Sequence, residues 1–161
     1  MGDLNSDTQE TIHLAIPESG SVRLIERMDS KHVLRLVQPI GSRSPLHASS
    51  TGKAILAHLP ASEIDAYLDA GLVRVTSYTI TDPDRLRAEL QQVRERGYAV
   101  VDEEMAEGIV SVAASIRPGS GRPIAAISVS GPVTRMTPEL RTKYGHQVSA
   151  AAAEVAALLR D

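Results

Sequence analysis

One short segment of the sequence combines residue types that could hold an anion. It lies in Pro45–Leu59 and contains, in order, Ser49, Ser50, Thr51 and Gly52. The alanine- and leucine-rich residues that follow predict a helix over 53–59. Small hydroxyl side chains cap helix N-termini, and the first helical turn has backbone N–H groups without intrahelical partners. A carboxylate is stable beside such groups. We therefore expect this turn to form the floor of a small-molecule site, the alternative being an ordinary capped helix.

Two predicted strands carry small hydroxyl side chains on one face. Because side chains alternate along a strand, Ser111 shares a face with Ala113 and Ser115, and Ser128 shares a face with Ser130. If solvent covers this face, the serines need no explanation. If a helix covers it, the buried hydroxyls need partners, which a ligand's carboxylate or hydroxyl could supply. The sequence leaves both interpretations open.

Other chemistries have weaker support in the sequence. Lys53 after Gly52 resembles part of a phosphate-binding loop, but His47 stands where that loop needs glycine and Ala54 where it needs Ser or Thr. The five histidines have no metal-binding spacing, and no nucleophile elbow is visible. The acidic run Asp102–Glu104 is typical of a solvated turn. We predict neither a catalytic site nor a bound metal or cofactor.

The composition excludes several classes of protein and of binding site. The chain has 161 residues, 42% of them hydrophobic, with no Cys, Phe or Trp and a net charge of −3. Its basic residues are scattered among acids, which argues against a nucleic-acid surface on this chain. Without cysteine, neither disulfides nor thiolate zinc sites can form. We find no apolar run of membrane-spanning length and no signal segment, so we expect no membrane contact and a cytoplasmic location.

The strands and helices that must position these residues are predicted from hydrophobic periodicity and from the turn and capping residues between them. We predict strands over residues 8–17, 22–28, 33–38, 98–101, 109–117 and 123–130. We predict helices over residues 53–59, 61–70, 82–96 and from 137 to about 159. Residues 1–7 should be frayed and residues 39–45 a loop. Strands and helices in blocks predict an α+β domain with an antiparallel sheet.

Four segments together resemble the effector-binding domain of IclR-type bacterial transcription regulators. They are PLHASSTGKAILAHLP, TITDPDRLRAELQQVRERGYAV, DEEMAEGIVSVAASIR and PIAAISVSGPVTRMTP, which occur in the family's order and spacing. The resemblance covers nearly the whole chain. It implies an α+β, GAF-like fold, with a curved antiparallel sheet flanked by helices and a pocket beneath the central turn.

The resemblance also implies a set of effector-binding residues. Backbone amides at the turn of Ser50, Thr51 and Gly52 would hold the effector's carboxylate, together with the two serines at positions 128 and 130. Ser111 stands where the family often has cysteine and could still donate a hydrogen bond. Val101 stands where the family commonly has an aspartate that faces the effector. Because an apolar side chain there removes a polar partner, we expect a monocarboxylate with an apolar or aromatic body.

The resemblance assigns residues 1–9 to a residual linker and residues 10–161 to the effector-binding domain. It implies homodimers or homotetramers, and DNA binding only through an N-terminal winged helix-turn-helix that this chain lacks. Two alternatives stay open at this point. One is a hydrolase-like enzyme on a GAF-like fold, with Ser50 or Thr51 beside His47; the other is a purely structural oligomerisation domain with no enclosed pocket.

Overall fold

The computed structural model describes residues 1–160, which form five α-helices and six β-strands. The strands are β1 (Thr11–Glu18), β2 (Ser21–Met28), β3 (Arg43–Pro45), β4 (Ala99–Asp102), β5 (Ile109–Ile116) and β6 (Ala125–Pro132). The helices are α1 (Gly2–Thr8), α2 (Ser50–Leu56), α3 (Ala61–Asp69), α4 (Pro83–Arg96) and α5 (Pro138–Leu158). This arrangement confirms the predicted α+β class.

All six strands belong to one curled antiparallel sheet with the order β3-β2-β1-β6-β5-β4. The central pair joins the two ends of the chain, since β1 lies beside β6 with His13 opposite Ser128 and Thr11 opposite Ser130. On the other side of β6, Ser111 of β5 lies opposite Ser130. The register therefore places the predicted serines in neighbouring rows at the centre of the sheet.

The two faces of the sheet bury different kinds of side chain. One face packs against α1 and α5 through branched residues, including Val112 and Val129. The other face presents alanines to α2 and α4, among them Ala15, Ala113 and Ala126. Because alanine leaves room for close approach, α2 can lie directly on β5 and β6. Aliphatic packing of this kind forms the core of a chain without Phe or Trp.

All four predicted helices are present, although α2 covers Ser50–Leu56 rather than residues 53–59. The Asp82 carboxylate accepts hydrogen bonds from the backbone N–H groups of Asp84 (2.8 Å) and Arg85 (3.1 Å), and Gly97 ends α4 with φ of 89°. In that left-handed conformation glycine avoids the steric cost of a side chain. Among residues 1–160, no helix has both the length and the apolar character that crossing a membrane requires.

Three predicted segments differ from the structure, one of them being the loop predicted over residues 39–45, whose last three residues form β3. Residues 33–38 do not form a strand; they belong to a loop over residues 29–42, here named the crossing loop, in which Val33 is 99% exposed. Their alternating pattern has no neighbouring strand to pair with, and β3 takes the edge position beside β2 instead. Residues 1–7 are not frayed, since α1 covers residues 2–8 and buries Leu4 against the α5 side of the sheet.

Candidate functional site

A cavity of about 230 Å³ lies between the sheet, the start of α2 and the crossing loop. It is larger than the 150 Å³ cavity that is known to accept benzene, so it has room for one ring with a substituent. Six of the seven predicted effector-binding residues line it, namely Ser50, Thr51, Val101, Ser111, Ser128 and Ser130. No Asp, Glu, Lys or Arg side chain is among its lining residues.

Three of the serines form a continuous chain of hydroxyls. The Oγ atoms of Ser50 and Ser111 lie 2.6 Å apart, and those of Ser111 and Ser130 lie 2.7 Å apart. Three hydroxyls carry three protons, and the two links between them use only two. One of the three hydroxyls therefore has a proton left to donate, and a carboxylate oxygen is a suitable acceptor.

The first turn of α2 adds backbone donors to the same end of the cavity. Ser49 caps the helix, and its Oγ accepts a hydrogen bond from the backbone N–H of Gly52 at 3.2 Å. Within residues 1–160 the backbone N–H groups of Ser50 and Thr51 have no hydrogen-bond acceptor. With seven residues α2 is short, so its contribution lies in these two unpaired donors rather than in a long helix dipole.

Gly52, the seventh predicted residue, does not line the cavity. A Cβ atom built on it would lie 2.5 Å from the Cα of Leu46 and 2.6 Å from the Leu46 carbonyl oxygen. Backbone atoms cannot move aside as a flexible side chain can, so this position requires glycine. Gly52 allows the first turn of α2 to pack against the preceding residues, which positions the amides of Ser50 and Thr51.

Apolar side chains form the walls of the cavity. Val101 is 2% exposed and faces the cavity from β4, with Met105 and Ile109 near it in the chain. Leu36 and Val37 of the crossing loop close the opposite side. The cavity therefore combines one end rich in neutral hydrogen-bond donors with a largely apolar body.

A buried ion pair fixes the segment that follows β4. Lys53 Nζ lies 2.6 Å from Glu104 Oε1, and the two side chains are 0% and 9% exposed. Burial raises the pKa of Glu104, and the opposing charge of Lys53 lowers it. The lysine that resembled part of a phosphate loop thus joins α2 to the apolar wall of the cavity. Because its partner Glu104 lies 51 positions later in the chain, sequence spacing cannot reveal this ion pair.

The structure adds His13 to the candidate site. It lines the cavity from β1 and is 6% exposed, and its Nε2 has no hydrogen-bond partner among residues 1–160. Burial, with a smaller contribution from the nearby Arg27, lowers the pKa of His13 to about 4, so the ring is neutral at pH 7. Sequence reasoning treated His13 only as one of five histidines without metal spacing. Its neighbours across the sheet come from distant parts of the chain.

The hydrolase alternative required His47 as a base beside Ser50 or Thr51. In the structure, His47 Nδ1 lies 2.7 Å from the Tyr67 hydroxyl and Nε2 lies 2.7 Å from the Val73 carbonyl oxygen. Because a carbonyl only accepts, Nε2 carries the proton and Nδ1 accepts from Tyr67. Burial lowers the pKa of His47. Both ring nitrogens are engaged away from Ser50, whose hydroxyl bonds to Ser111 instead.

The remaining charged groups named in the sequence analysis lie outside the cavity. Asp102 is exposed and its carboxylate bonds to Arg141 at 2.8 Å, while the Glu103 carboxylate accepts from the Gly108 N–H at 2.8 Å. In the part of the chain described, no three His, Asp or Glu side chains are grouped so that they could hold a metal.

The family model for the bacterial transcriptional regulator IclR C-terminal domain matches residues 1–157. The chain belongs to the IclR family. This confirms the resemblance that the four sequence segments indicated. A cavity between a curled sheet and the first turn of α2 is also what that resemblance implied.

Three proteins are similar to this IclR-family domain over more than nine-tenths of its length. The transcriptional repressor AllR of Klebsiella pneumoniae is 38% identical over 151 residues, which are 93% of this chain and 56% of AllR. The IclR crystal structure from Thermotoga maritima superposes with a TM-score of 0.92 at 32% identity, over 99% of this chain and 65% of that one.

The third is the inducer-binding domain of PobR from Acinetobacter, solved as a double mutant with 3-hydroxybenzoic acid. Its TM-score is 0.82 at 27% identity, over 98% of this chain and 91% of that one. The chain therefore spans little more than half of a curated relative but nearly all of an isolated inducer-binding domain. The curated relatives are transcriptional repressors rather than enzymes, in agreement with the sequence prediction.

Proposed function

We propose that this IclR-family domain binds an organic monocarboxylate in the cavity and acts as the effector sensor of a transcription regulator. The observation that supports this most strongly is the donor-rich end of the cavity. The unpaired amides of Ser50 and Thr51 and the hydroxyl chain from Ser50 to Ser130 converge there. A carboxylate would accept from several of these donors at once.

The walls favour an acid with an apolar or aromatic body. Val101, Met105 and Leu36 offer such a ligand dispersion contacts and exclude water from it. PobR, whose inducer-binding domain holds 3-hydroxybenzoic acid, supports this ligand class. A cavity with hydrogen-bond donors at one end and apolar walls also argues against the purely structural alternative.

The full-length parent would bind DNA through a segment outside the sensing domain. We propose that this segment is an N-terminal winged helix-turn-helix, that residues 1–9 link it to the sensor at residues 10–161, and that the parent acts in the cytoplasm. Homodimers or homotetramers would place two DNA-binding segments at a defined spacing. A ligand can shift that spacing only if it binds the two arrangements with different affinities.

A thermal-shift screen over aliphatic and aromatic carboxylates tests the proposed function. We expect stabilisation that grows with the concentration of a binding acid. Ser130→Ala should weaken such binding by about 1–3 kcal/mol, because a hydrogen bond to a charged group is lost. Ser115→Ala is the matched control, since Ser115 lies on the same face of β5 as Ser111 but does not line the cavity. No stabilisation by any carboxylate would contradict the proposal.

A further inference from the structure

The middle of the crossing loop is held in place by side chains rather than by backbone pairing. Within residues 1–160, no backbone N–H or carbonyl group of residues 31–38 bonds to another backbone group. Instead, three carbonyl oxygens at alternate positions accept hydrogen bonds from side chains of the sheet and of the turn after β6. The three bonds are Arg135 to Leu34 (2.9 Å), Thr11 to Leu36 (3.1 Å) and Arg27 to Gln38 (2.7 Å). A segment without backbone pairing opens locally at a lower free energy than a paired strand does.

The inner side of this segment belongs to the cavity. Leu36 and Gln38 are half-buried and line the cavity, whereas Val33 and Leu34 are 99% and 66% exposed. A ligand in the cavity contacts the crossing loop only while the three carbonyl bonds hold the loop in place. Such a ligand therefore favours the closed arrangement of the loop over one in which the loop has moved away.

The start of the crossing loop is bonded to the end of α1. The Ser30 hydroxyl donates to the Gln9 carbonyl at 2.7 Å, and Gln9 ends α1 with φ of 59°. The buried Asn5 side chain of α1 donates its two amide hydrogens to the carbonyls of Glu10 (3.0 Å) and Asp29 (3.1 Å). The last turn of α1 and the first residues of the loop thus form one hydrogen-bonded unit.

Arg135 forms a second link between the loop and the residues after α1. Its Nε and Nη2 atoms donate to the Glu10 carboxylate at 2.7 and 2.9 Å, and Nη2 also donates to the Leu34 carbonyl at 2.9 Å. The Glu10 side chain is 4% exposed and packs on Gly131, where a Cβ atom would lie 2.8 Å from the carboxyl carbon. A buried carboxylate one residue beyond the end of α1 therefore positions the arginine that holds the loop.

We infer that the crossing loop closes over a bound acid and couples occupancy of the cavity to the stability of α1. This inference rests on the proposed function, because it requires a ligand in the cavity. No residue of α1 lines the cavity, so the ligand acts on α1 through the loop rather than by contact. By linkage, an acid that stabilises the closed loop stabilises α1, and a fixed α1 favours binding of the acid. Since residues 1–9 are the proposed link to a DNA-binding segment, α1 is the element through which occupancy would reach that segment.

Hydrogen–deuterium exchange of the α1 amides tests the coupling. The probe acids are benzoate, 3-hydroxybenzoate and hexanoate, and their binding is measured by calorimetry. We expect a probe acid that binds to slow exchange at residues 5–9 by about fivefold or more. Exchange in α3, which contributes no residue to the cavity, should not change.

A matched pair of serine variants identifies the route. Ser30→Ala removes the bond to the Gln9 carbonyl at a position outside the cavity, so it should bind the acid and lose most of the slowing in α1. Ser21→Ala is the control, because it removes a similar bond to the Glu18 carbonyl (2.8 Å) in the turn between β1 and β2. It should keep the wild-type response.

A second pair of variants tests the connection without any ligand. Leu36→Ala removes contacts between the loop and the cavity and should raise the exchange rate of α1 by about threefold or more. Leu34→Ala, which alters an exposed side chain of the same loop, should leave that rate unchanged.

The inference is overturned if an acid binds without slowing exchange in α1, if Ser30→Ala keeps the full slowing, or if Leu36→Ala exchanges at the wild-type rate. If none of the acids in the carboxylate screen binds, the proposed function itself fails. The ligand-free comparison of Leu36→Ala with Leu34→Ala then still decides whether the loop and α1 are connected.

Discussion

Lys53 Nζ lies 2.6 Å from Glu104 Oε1, and this contact joins the first turns of α2 to the segment after β4. Lys53 follows the backbone amides that would hold a carboxylate. Glu104 precedes Met105 and Ala106, which belong to the apolar wall. The Glu104 carbonyl also accepts from the Thr79 hydroxyl at 2.7 Å. The donor end and the apolar wall of the cavity are thus held in one arrangement by a buried ion pair.

Replacing Lys53 by Met should destabilise the domain by about 3–5 kcal/mol, because it leaves the buried Glu104 carboxylate without a compensating charge. Urea unfolding measures the loss. The double variant Lys53→Met with Glu104→Gln removes both charges and should recover a large part of the stability. Equal stability of the single variant and the wild type would contradict this role of the ion pair.

Gly52→Ala should destabilise the domain by about 1–3 kcal/mol, since the new Cβ would overlap backbone atoms of Leu46. It should also weaken binding of a stabilising acid, because the amides of Ser50 and Thr51 shift with the turn. Thermal unfolding with and without the acid measures both effects. Gly2→Ala is the control, since a Cβ at Gly2 in α1 meets no atom within 4 Å. Unchanged melting of Gly52→Ala would show that the turn can adjust.

Val101→Asp should change the ligand preference of the cavity. A carboxylate at this 2% exposed position places a charge on the apolar wall. We expect affinity for aromatic and long aliphatic acids to fall at least tenfold, which is about 1.4 kcal/mol. Val101→Ala, which keeps the wall apolar, is the control and should have a smaller effect. Calorimetric titration of both variants provides the measurement, and equal losses would contradict the proposed contact.

The stability of the domain should decrease as the pH falls from about 6.5 to 4. Burial lowers the pKa of His13 and His58 to about 4, with smaller contributions from Arg27 and Arg117 respectively. In this pH range the unfolded chain binds protons that the folded chain does not, so acid favours unfolding. For the buried His13 ring the full effect is about 3 kcal/mol.

The contribution of His13 can be isolated by comparing free energies of unfolding at pH 7 and pH 4.5. His13→Asn should lose less stability between these pH values than the wild type, because it removes one of the two groups. His32→Asn, which alters an exposed histidine, should behave as the wild type does. Parallel pH profiles of His13→Asn and the wild type would contradict the assignment.

Local rules predicted much of the fold and the donor end of the cavity. Alternation placed Ser128 and Ser130 on one face of their strand, and capping chemistry placed Ser50 at the start of a helix, whereas only the register of the folded sheet places Ser111 opposite Ser130. The same alternation led to a wrong strand over residues 33–38, because period-2 patterns do not indicate whether a neighbouring strand is present. His13 escaped notice because its significance depends on register and burial, which only the folded chain defines.

The neutral lining of the cavity has a consequence for how an acid would be detected. Because no lining residue is Asp, Glu, Lys or Arg, an approaching anion meets no nearby opposite charge within the cavity. Ions in the surrounding solution therefore have little attraction to screen, and occupancy would follow the concentration of the acid over a wide range of ionic strength. The affinity of such a receptor for its acid would therefore change little when the salt concentration in the cell changes.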